Sequence, residues 1–470
     1  MKVEQIYTGC LAEAAYYIES NGEVAIIDPL RETAPYIERA KKDNAVIKYI
    51  FETHYHADFV SGHVDLANRT GATIVYGPNA GVTGFEKEIA KDGQFYQLGD
   101  ISFEVIHTPG HTMESTCLLL RNEADEEVGL FSGDTLFIGD VGRPDLAQEM
   151  SSDLNEEKLA RLLYQSLRTK ILPLADNIIV YPAHGKGSAC GKNMSSETTD
   201  TLGNQKKTNY ALAPDLTEDQ FVEKILTGLS PAPKYFPQNV ALNIQGYSPL
   251  EEVLKTGSRA LSPEEFEQVA NEREALILDT RSPDEFRDAH VAGSIFIGID
   301  GDFAPWVGAL VPDIKQPILL ITDEKRTEEV ITRLARVGYD NTIGFLAGGM
   351  AAWQQAGKEI DRITSINPSA LAELDDPQII DVRRKSEFDS EHIHSAVNAP
   401  LDYINDNISL LNSTDQNYIH CAGGYRSLIF SSILQARGHR NLIDIRGGFQ
   451  AIKESDKFHL SAFVCPSTLT

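Results

Sequence analysis

The sequence Asn417-Tyr-Ile-His-Cys-Ala-Gly-Gly-Tyr-Arg-Ser427 joins a short apolar run to one thiol, two glycines and an arginine. The pattern predicts a β-strand over Asn417–His420, then a loop, then a helix that begins near Ser427. In parallel α/β sheets, functional residues gather where the carboxyl ends of strands meet the amino termini of helices. Cys421 lies at such a junction and is therefore a candidate catalytic residue.

The same frame recurs earlier in the chain as Ile318-Leu-Leu-Ile-Thr-Asp-Glu-Lys-Arg-Thr327, where Asp323 stands in place of the thiol. The regions before the two frames also align, because five residues recur at a spacing of 102 positions. The pairs are Asp279 and Asp381, Arg281 and Arg383, Glu285 and Glu387, Phe286 and Phe388, and His290 and His392. One long period seen twice indicates two duplicated domains rather than a solenoid, whose repeats span about 20–50 residues.

Each copy alternates apolar runs with polar, helix-like segments. Strands are predicted at 276–279, 318–322 and 342–345 in the first copy, and at 379–382, 417–420 and 441–445 in the second. Strands that alternate with helices predict an α/β fold with a parallel sheet covered on both faces.

The loop after Cys421 has the composition of an anion-binding site. Small residues let successive backbone N–H groups point inward, and the following helix adds the positive end of its dipole. Such surroundings favour a thiolate or a terminal persulfide, and the Arg426 guanidinium suits an oxyanion. A buried structural cysteine is the alternative. The predicted cradle residues are Gly423, Gly424, Tyr425 and Ser427.

The first half of the chain contains a second group of chemically active residues. An apolar strand predicted at 46–51 leads into Thr53-His-Tyr-His-Ala-Asp-Phe-Val-Ser-Gly62. Three further apolar strands are each followed by a metal-ligand type of residue, namely His111, Asp134 and His184. Imidazoles and carboxylates at successive strand ends indicate a metal site.

The composition of the whole chain is that of a globular enzyme. Its 470 residues are 42% hydrophobic and 24% charged, and their number predicts three domains. The formal net charge of −27 disfavours nucleic acid and anionic membrane surfaces as partners. Short apolar segments and five scattered cysteines favour a cytoplasmic protein with reduced thiols. We expect it to form a homo-oligomer.

The carboxyl-terminal frame resembles the rhodanese family of sulfurtransferases, in which a Cys-x-x-x-x-Arg loop carries a sulfane sulfur as a persulfide. The resemblance covers roughly residues 365–455. It implies that the first copy has a rhodanese fold without the chemistry, because the Asp323 carboxylate cannot carry a sulfur atom. The loop of the first copy is also shorter, with three steps from Asp323 to Arg326 against five from Cys421 to Arg426.

The order of the histidines and aspartates resembles the metallo-β-lactamase fold, an αββα sandwich that holds metals at the lip between its two sheets. Many members bind two metals through His-x-His-x-Asp-His, and Phe59 stands here in place of the last histidine. The resemblance narrows to the persulfide dioxygenase branch, with supporting stretches such as Ile27-Asp-Pro-Leu-Arg-Glu-Thr-Ala34 and Gly142-Arg-Pro-Asp-Leu146. It extends to about Gly246, so residues 195–214 are expected to form a surface excursion of this domain.

The resemblance implies one metal per chain, because a phenyl ring at position 59 cannot bind a second one. The ligands that it implies are His54, His111 and Asp134. Two histidines and one carboxylate favour non-haem Fe(II). Groups expected around these ligands are His56, Asp58 and His184, with His56 the strongest candidate for a further ligand. Arg143 is assigned to the residues that bind substrate anions.

The remaining cysteines are predicted to have different roles. Cys190 lies six residues after His184 in a glycine-containing loop beside two lysines. Lysines and mobile backbone lower the pKa of a thiol, so a catalytic role in substrate handling is weighed equally against an incidental surface thiol. Cys117, in an apolar strand, is expected in the core, and Cys10 and Cys465 are not assigned.

The resemblances imply an α/β fusion of three domains: a persulfide dioxygenase domain of the αββα type at 1–246, an inactive rhodanese-like domain at 247–362 and an active one at 363–470. The first domain would use O2 to oxidise a low-molecular-weight thiol persulfide to sulfite. Cys421 would then transfer a sulfane sulfur to sulfite, giving thiosulfate, in the service of sulfide detoxification. The identity of the thiol carrier stays open.

Two alternatives remain at this stage. One is a zinc thioester hydrolase of the glyoxalase II type with an appended sulfurtransferase, against which Phe59 counts. The other makes the second half a binding or sensing module in which Cys421 is a redox-reactive switch.

Overall fold

The computed structural model describes residues 1–146, 155–229, 232–412 and 414–465. The chain divides into two compact units. Unit 1 comprises Met1–Glu251 together with Leu334–Gly338, and unit 2 comprises Glu252–Arg333 together with Tyr339–Thr470. Within the described ranges, none of the helices is both long and apolar enough to span a lipid bilayer. The predicted limits 1–246, 247–362 and 363–470 stay predictions.

Unit 1 contains two six-stranded sheets. The strands of the first sheet are neighbours in chain order: β1 (Lys2–Thr8), β2 (Glu13–Ser20), β3 (Glu23–Ile27), β4 (Val46–Glu52), β5 (Thr73–Tyr76) and β6 (Glu88–Ile89). The second sheet likewise runs through β7 (Phe95–Leu98), β8 (Ile101–His107), β9 (Thr116–Arg121), β10 (Glu127–Gly133), β11 (Ile179–Pro182) and β12 (Asp200–Thr201). The two sheets are mixed, with parallel pairs from β3 to β6 and between β10 and β11.

The inner faces of these sheets form one buried core. Alternate residues such as Tyr16 and Ile18 of β2 join Phe103 and Val105 of β8 in a single apolar cluster. This spacing follows from the strand period of two, which sends every second side chain to the same face. The first sheet therefore packs face to face on the second.

Helices cover both outer faces of the sandwich. The helices over the first sheet are α1 (Ala34–Lys42), α2 (His63–Thr70) and α6 (Phe236–Gln245), and those over the second are α3 (Glu156–Ser166), α4 (Leu202–Thr208) and α5 (Glu218–Leu226). Unit 1 is thus an αββα sandwich, which confirms the predicted fold class. The expectation that residues 195–214 form a surface excursion is wrong, because Leu202, Ala211 and Leu212 are buried in the core under the second sheet.

Helix α7 (Leu250–Gly257) crosses the division between the units. In unit 2, the first copy has a five-stranded parallel sheet. Its strands lie in the order β13 (Ala260–Leu261), β18 (Thr342–Leu346), β17 (Ile318–Ile321), β14 (Leu276–Asp279) and β16 (Ile295–Phe296). A separate two-stranded sheet pairs β15 (His290–Val291) with β19 (Ile360–Asp361). Its helices are α8 (Pro263–Glu272), α9 (Pro283–Asp288), α10 (Phe303–Leu310), α11 (Thr327–Arg336) and α12 (Gly349–Gln355). Capping boxes begin α8 at Ser262 and α9 at Ser282.

The second copy repeats this topology. Its parallel sheet has the order β20 (Ser365–Ile366), β24 (Leu442–Ile445), β23 (Asn417–His420), β21 (Gln378–Asp381) and β22 (Val397–Asn398). Its helices are α13 (Pro368–Leu371), α14 (Lys385–Ser390), α15 (Ile404–Asn407), α16 (Tyr425–Ala436) and α17 (Gly448–Ser455). In both copies, the last strand lies beside the first one and the fourth occupies the centre, which confirms the predicted duplication.

The six strands predicted for the two copies are all present, with ends that differ by one residue at most. The strand Asn417–His420 has the predicted limits, and α16 begins at Tyr425, two residues before the predicted start. Continuous apolar runs identify such strands because both faces of a parallel sheet are buried.

Candidate functional site

The Asp134 carboxylate lies at the centre of a buried cluster of histidines. Its Oδ2 lies 3.4 Å from His111 Nε2 and 3.9 Å from His54 Nε2, and its Oδ1 lies 3.5 Å from His184 Nε2. Asp134 directly follows β10, and the three histidines follow β8, β4 and β11. Strand ends from both sheets thus meet at one edge of the sandwich.

Hydrogen bonds orient the two histidines nearest to Asp134 Oδ2. His111 Nδ1 donates to the carbonyl of Arg143 over 2.8 Å, and His54 Nδ1 lies 3.0 Å from Thr53 Oγ1, whose hydrogen is donated to Asp28. Both imidazoles therefore carry their proton on Nδ1 and leave the Nε2 lone pair free. Burial and the neighbouring imidazoles of His56, His111 and His184 lower the pKa of His54 well below its usual value, which keeps it neutral.

The chemistry of this donor set fits a metal ion. The ligand atoms of His54, His111 and Asp134 all lie within 4.8 Å of one another. Both Asp134 oxygens are buried, and the described residues offer them no hydrogen-bond donor. A buried carboxylate without donors is costly unless a cation neutralises it. The three residues that the sequence predicts as ligands are therefore brought together, and their role as ligands stays a prediction.

A second candidate ligand group lies next to the first and consists of Asp58, His184 and Cys190. His184 Nε2 lies 3.4 Å from Asp58 Oδ2, and its Nδ1 donates to the carbonyl of Ala12 over 3.2 Å. Asp134 lies between the two groups, since each of its oxygens faces one of them. The cluster therefore offers two neighbouring positions for cations.

The structure corrects two expectations about Cys190. The thiol is buried, so the alternative of an incidental surface thiol is wrong. Burial and the carboxylates of Asp58 and Asp134 raise the pKa of Cys190 well above its usual range, whereas the nearby lysines were expected to lower it. The physical reason is that Lys192 donates instead to the carbonyls of Lys224, Ile225 and Thr227.

His56 belongs to a third group, together with Asp28 and Glu52. Its Nε2 lies 3.0 Å from Asp28 Oδ1 and 3.5 Å from Glu52 Oε2. Burial alone lowers the pKa of His56, but the Asp28 and Glu52 carboxylates outweigh it and raise the pKa to about 9. The Phe59 ring is buried against this imidazole, with 4.3 Å between the ring centroids. His56 therefore lies among carboxylates and not in the group of His54, His111 and Asp134.

Arg143 lies in unit 1 beside the metal-ligand groups. Its guanidinium forms two hydrogen bonds of 2.6 Å with the Asp145 carboxylate and a third, of 3.3 Å, with the carbonyl of Ala189. Its backbone N–H donates to the carbonyl of Cys190 over 3.0 Å. Its role in binding substrate anions stays a prediction, and its backbone groups position His111 and the loop of Cys190.

The thiol loop of unit 2 has the predicted form. Cys421 directly follows β23, and its Sγ accepts a hydrogen bond of 3.1 Å from the backbone N–H of Gly424. Gly424 has a φ of 103°, which favours glycine, and this conformation turns its N–H towards the sulfur. On the other side, Tyr425 extends to the first copy and donates its hydroxyl to the carbonyl of Gly298 over 2.7 Å.

Arg426, predicted to bind an oxyanion, already holds a carboxylate. Its guanidinium donates to both oxygens of Glu387 at 2.6 and 2.8 Å. Glu387 and its counterpart Glu285 both cap their own helices, α14 and α9, and Glu387 pairs with Arg426 in addition. An anion at this loop therefore shares Arg426 with Glu387 or displaces that carboxylate.

Two family models match the chain. The Metallo-beta-lactamase superfamily model matches residues 8–184, and the Rhodanese-like domain model matches residues 262–356 and 368–455. The crystal structure of a metallo-beta-lactamase from Staphylococcus aureus subsp. aureus COL is 31% identical, covers 74% of this chain and 98% of that chain, and gives a TM-score of 0.65. The chain belongs to the metallo-beta-lactamase superfamily.

Within this superfamily, curated relatives of the chain are hydroxyacylglutathione hydrolases. The one from Tolumonas auensis is 33% identical over 172 residues, which is 36% of this chain and 60% of that protein. The chain thus spans only 60% of that relative's length. The crystal structure of ETHE1 from Myxococcus xanthus is 26% identical and covers 52% of this chain and 100% of that chain, with a TM-score of 0.44.

Several functional-site residues of this superfamily member escaped prediction. Asp28 and Glu52 lie directly after β3 and at the end of β4, so the rule that placed His54 and Asp134 at strand ends would have found both. In unit 2, Asp444 accepts a hydrogen bond of 2.7 Å from Ser427 of the thiol loop, and it was missed because it lies inside β24, where the pattern predicts only core. The buried Cys117 was predicted correctly.

Proposed function

We propose that the chain is a non-haem Fe(II) persulfide dioxygenase joined to a thiosulfate-forming sulfurtransferase. The observation that carries the proposal is the group of His54, His111 and Asp134, whose ligand atoms all lie within 4.8 Å of one another. Two histidines and one carboxylate leave open positions on the metal for other ligands, an arrangement typical of non-haem Fe(II) oxygenases. Bound Fe(II) would supply the activation of O2.

A cavity beside His111 suits the sulfur end of a small thiol persulfide. Its volume is about 260 Å³, and its described lining is mainly apolar. Tyr55, Ala57 and Leu146 line it together with Pro237, Val240, Ala241 and Ile244. An apolar wall binds the carbon chain of a thiol and keeps water away from the reacting sulfur. Among the ligand residues, His111 lines this cavity, and its Nδ1 is already engaged with the carbonyl of Arg143.

The second step would take place at Cys421. Its thiolate attacks the outer sulfur of a persulfide, the S–S bond breaks, and the carrier thiol leaves. Sulfite then attacks the sulfane sulfur on Cys421, which releases thiosulfate and restores the thiolate. The N–H of Gly424 stabilises negative charge on the sulfur. Joining both steps in one chain raises the effective concentration of sulfite, a role that suits sulfide detoxification.

A zinc thioester hydrolase is the second candidate for unit 1. It is favoured by the group of Asp58, His184 and Cys190 beside Asp134, which offers a second cation position, and by the likeness to hydroxyacylglutathione hydrolases. Two zinc ions per chain would suit hydrolysis, which uses metal-activated water.

One experiment separates the two candidates. The protein is purified without oxygen, its metals are measured, and it is given glutathione persulfide or a glutathione thioester. The dioxygenase predicts one iron per chain and rapid O2 uptake with the persulfide. Zinc at two per chain, with thioester cleavage and no O2 uptake, would establish the hydrolase instead.

A further inference from the structure

A buried series of hydrogen bonds leads from Cys421 to a carboxylate on the neighbouring strand. Cys421 Sγ donates to Ser427 Oγ over 3.7 Å, and Ser427 Oγ donates to Asp444 Oδ1 over 2.7 Å. All three side chains are buried. Because the thiol and the hydroxyl have one hydrogen each, the two bonds run in one direction, from the sulfur to the carboxylate.

The first copy holds this carboxylate from its other side. Arg287, in α9, donates from Nε to Asp444 Oδ2 over 3.3 Å, although the two residues are 157 positions apart. Arg287 also pairs with Asp284, so its guanidinium is fixed at both ends. The ion pair keeps Asp444 Oδ1 turned towards Ser427.

The first copy shows that the fold does not require this carboxylate. Asp444 and Phe345 occupy matching positions, each three residues before the first glycine of the Gly447 and Gly348 pairs. Thr327 begins α11 near the position that Ser427 has in α16, and its buried hydroxyl has no partner among the described residues. The hydroxyl–carboxylate pair is therefore present where the thiol is present and absent where the thiol is absent.

We propose that Ser427 and Asp444 form a proton relay that converts the Cys421 thiol into the thiolate. The S–H bond breaks as its proton moves to Ser427 Oγ, while the proton of Ser427 moves to Asp444 Oδ1. The products are the Cys421 thiolate and a neutral Asp444 carboxylic acid, so protons and charge balance. Asp444 and Arg287 act through Ser427 and are positioning residues. The inference deepens the proposed sulfur transfer and rests on it.

The surroundings of the relay support this direction of transfer. Burial raises the pKa of Asp444, although the Ser427 hydrogen bond and the Arg287 charge act in the opposite sense. A carboxyl group with a raised pKa is a better proton acceptor. Other charged groups nearby include the cationic Arg446 and Arg426 and the Glu387 and Asp402 carboxylates that face Arg426. Burial lowers the pKa of His420, which favours the neutral imidazole.

The test measures the reactivity of the thiol directly. The full-length reduced protein is treated with iodoacetamide between about pH 5.5 and pH 9, and mass spectrometry follows alkylation of the peptide that contains Cys421. The relay predicts that the wild-type rate levels off on the acidic side, because thiolate forms by internal proton transfer. Asp444→Asn and Ser427→Ala should lose this plateau and react at least ~10-fold more slowly at about pH 6.

Thr327→Val is the matched control, because it removes the corresponding hydroxyl of the first copy and should leave the profile unchanged. If Asp444→Asn reacts at acidic pH as fast as the wild type or faster, the relay is wrong, since the loss of a nearby negative charge alone favours a thiolate. Ser427→Ala gives an independent answer if Asp444→Asn does not fold. An acidic plateau in a protein that transfers no sulfur would support the relay and contradict the proposed function.

Discussion

The two rhodanese-like copies share the order of their strands and differ in the loop that follows the central strand. In the first copy, Asp323 accepts a hydrogen bond of 3.0 Å from the backbone N–H of Lys325 and caps a short 3₁₀ turn. In the second, Cys421 accepts from Gly424, and the loop is long enough to surround the sulfur. The same sheet therefore supports either a plain helix cap or a thiol site.

The arginines of the two loops differ in the same way. Arg326 pairs with Glu329 in the first turn of the following helix α11 and with Asp300. Arg426 reaches Glu387 on another helix and stays beside the thiol loop. Buried apolar strands preserve the fold in both copies, whereas the chemistry depends on a few polar residues in the loop and the neighbouring strand. A shared fold therefore does not by itself imply a shared function.

The largest effect should come from Cys421→Ser, because a hydroxyl cannot carry a persulfide. Thiosulfate formation should fall by about three orders of magnitude, while O2 uptake continues and sulfite accumulates. Both products can be measured by thiol-reactive derivatisation and chromatography after a fixed O2 uptake. Asp323→Ser in the first copy is the matched control and should leave the products unchanged. Thiosulfate as the main product of Cys421→Ser would show that another route makes it.

The next largest effect should come from substitutions in unit 1, and they should leave sulfur transfer in unit 2 unchanged. His54→Ala, His111→Ala and Asp134→Ala should each lower metal content and O2 uptake by about a hundredfold, because three ligands leave no redundancy. Thiosulfate:cyanide sulfurtransferase activity, which depends on Cys421, should be retained. Elemental analysis and an oxygen electrode provide the measurements. Full metal content in all three variants would contradict the ligand assignment.

Arg287→Ala should reveal the support that the first copy gives to the second. Leaving the buried Asp444 carboxylate unpaired should cost about 3 kcal/mol in the free energy of unfolding near neutral pH. Removing Arg287 raises the folded-state pKa of Asp444 further. The loss in the free energy of unfolding is therefore absent below about pH 4, the pKa of an aspartate in the unfolded chain, and it grows as the pH rises above that value. Urea unfolding at about pH 5 and pH 8 should therefore show the larger loss at pH 8.

Arg440→Ala is a suitable control for this measurement. Its side chain is 62% exposed, although it also pairs with an aspartate, Asp361. Exposed ion pairs contribute little, so the change should stay within about 0.5 kcal/mol at both pH values. An equal effect of the Arg287 and Arg440 substitutions would mean that the contact between the copies does not stabilise Asp444.

The smallest effect should come from restoring a thiol to the first copy. Asp323→Cys in the Cys421→Ser background should recover less than about 1% of sulfurtransferase activity. The new thiol would have no hydroxyl–carboxylate pair, since Phe345 occupies the position of Asp444, and Arg326 is held by Glu329. The thiosulfate:cyanide assay checks this. Substantial recovery would show that the sulfur alone is sufficient.

Local patterns predicted much of this protein because they reflect local physics. Strands appear as apolar runs bounded by polar loops, and the duplication appears as a fixed spacing between matching residues. The grouping of His54, His111 and Asp134 was also predictable, since each follows an apolar strand and strand ends of a sandwich meet at one edge. Burial of a side chain in a loop was not predictable in this way, as Cys190 shows.

Pairing between distant polar residues was decided only by the tertiary structure. The residues near Arg287 in the sequence do not indicate that its charge faces Asp444. Strand β24 is so short that its one acidic residue, Asp444, cannot be told apart from a break in the apolar run. In the same way, Cys190 joins Asp58 and His184 only because separate loops fold over one edge of the sandwich. Periodicity describes which face of an element is buried, whereas the partner across that face depends on how the whole chain packs.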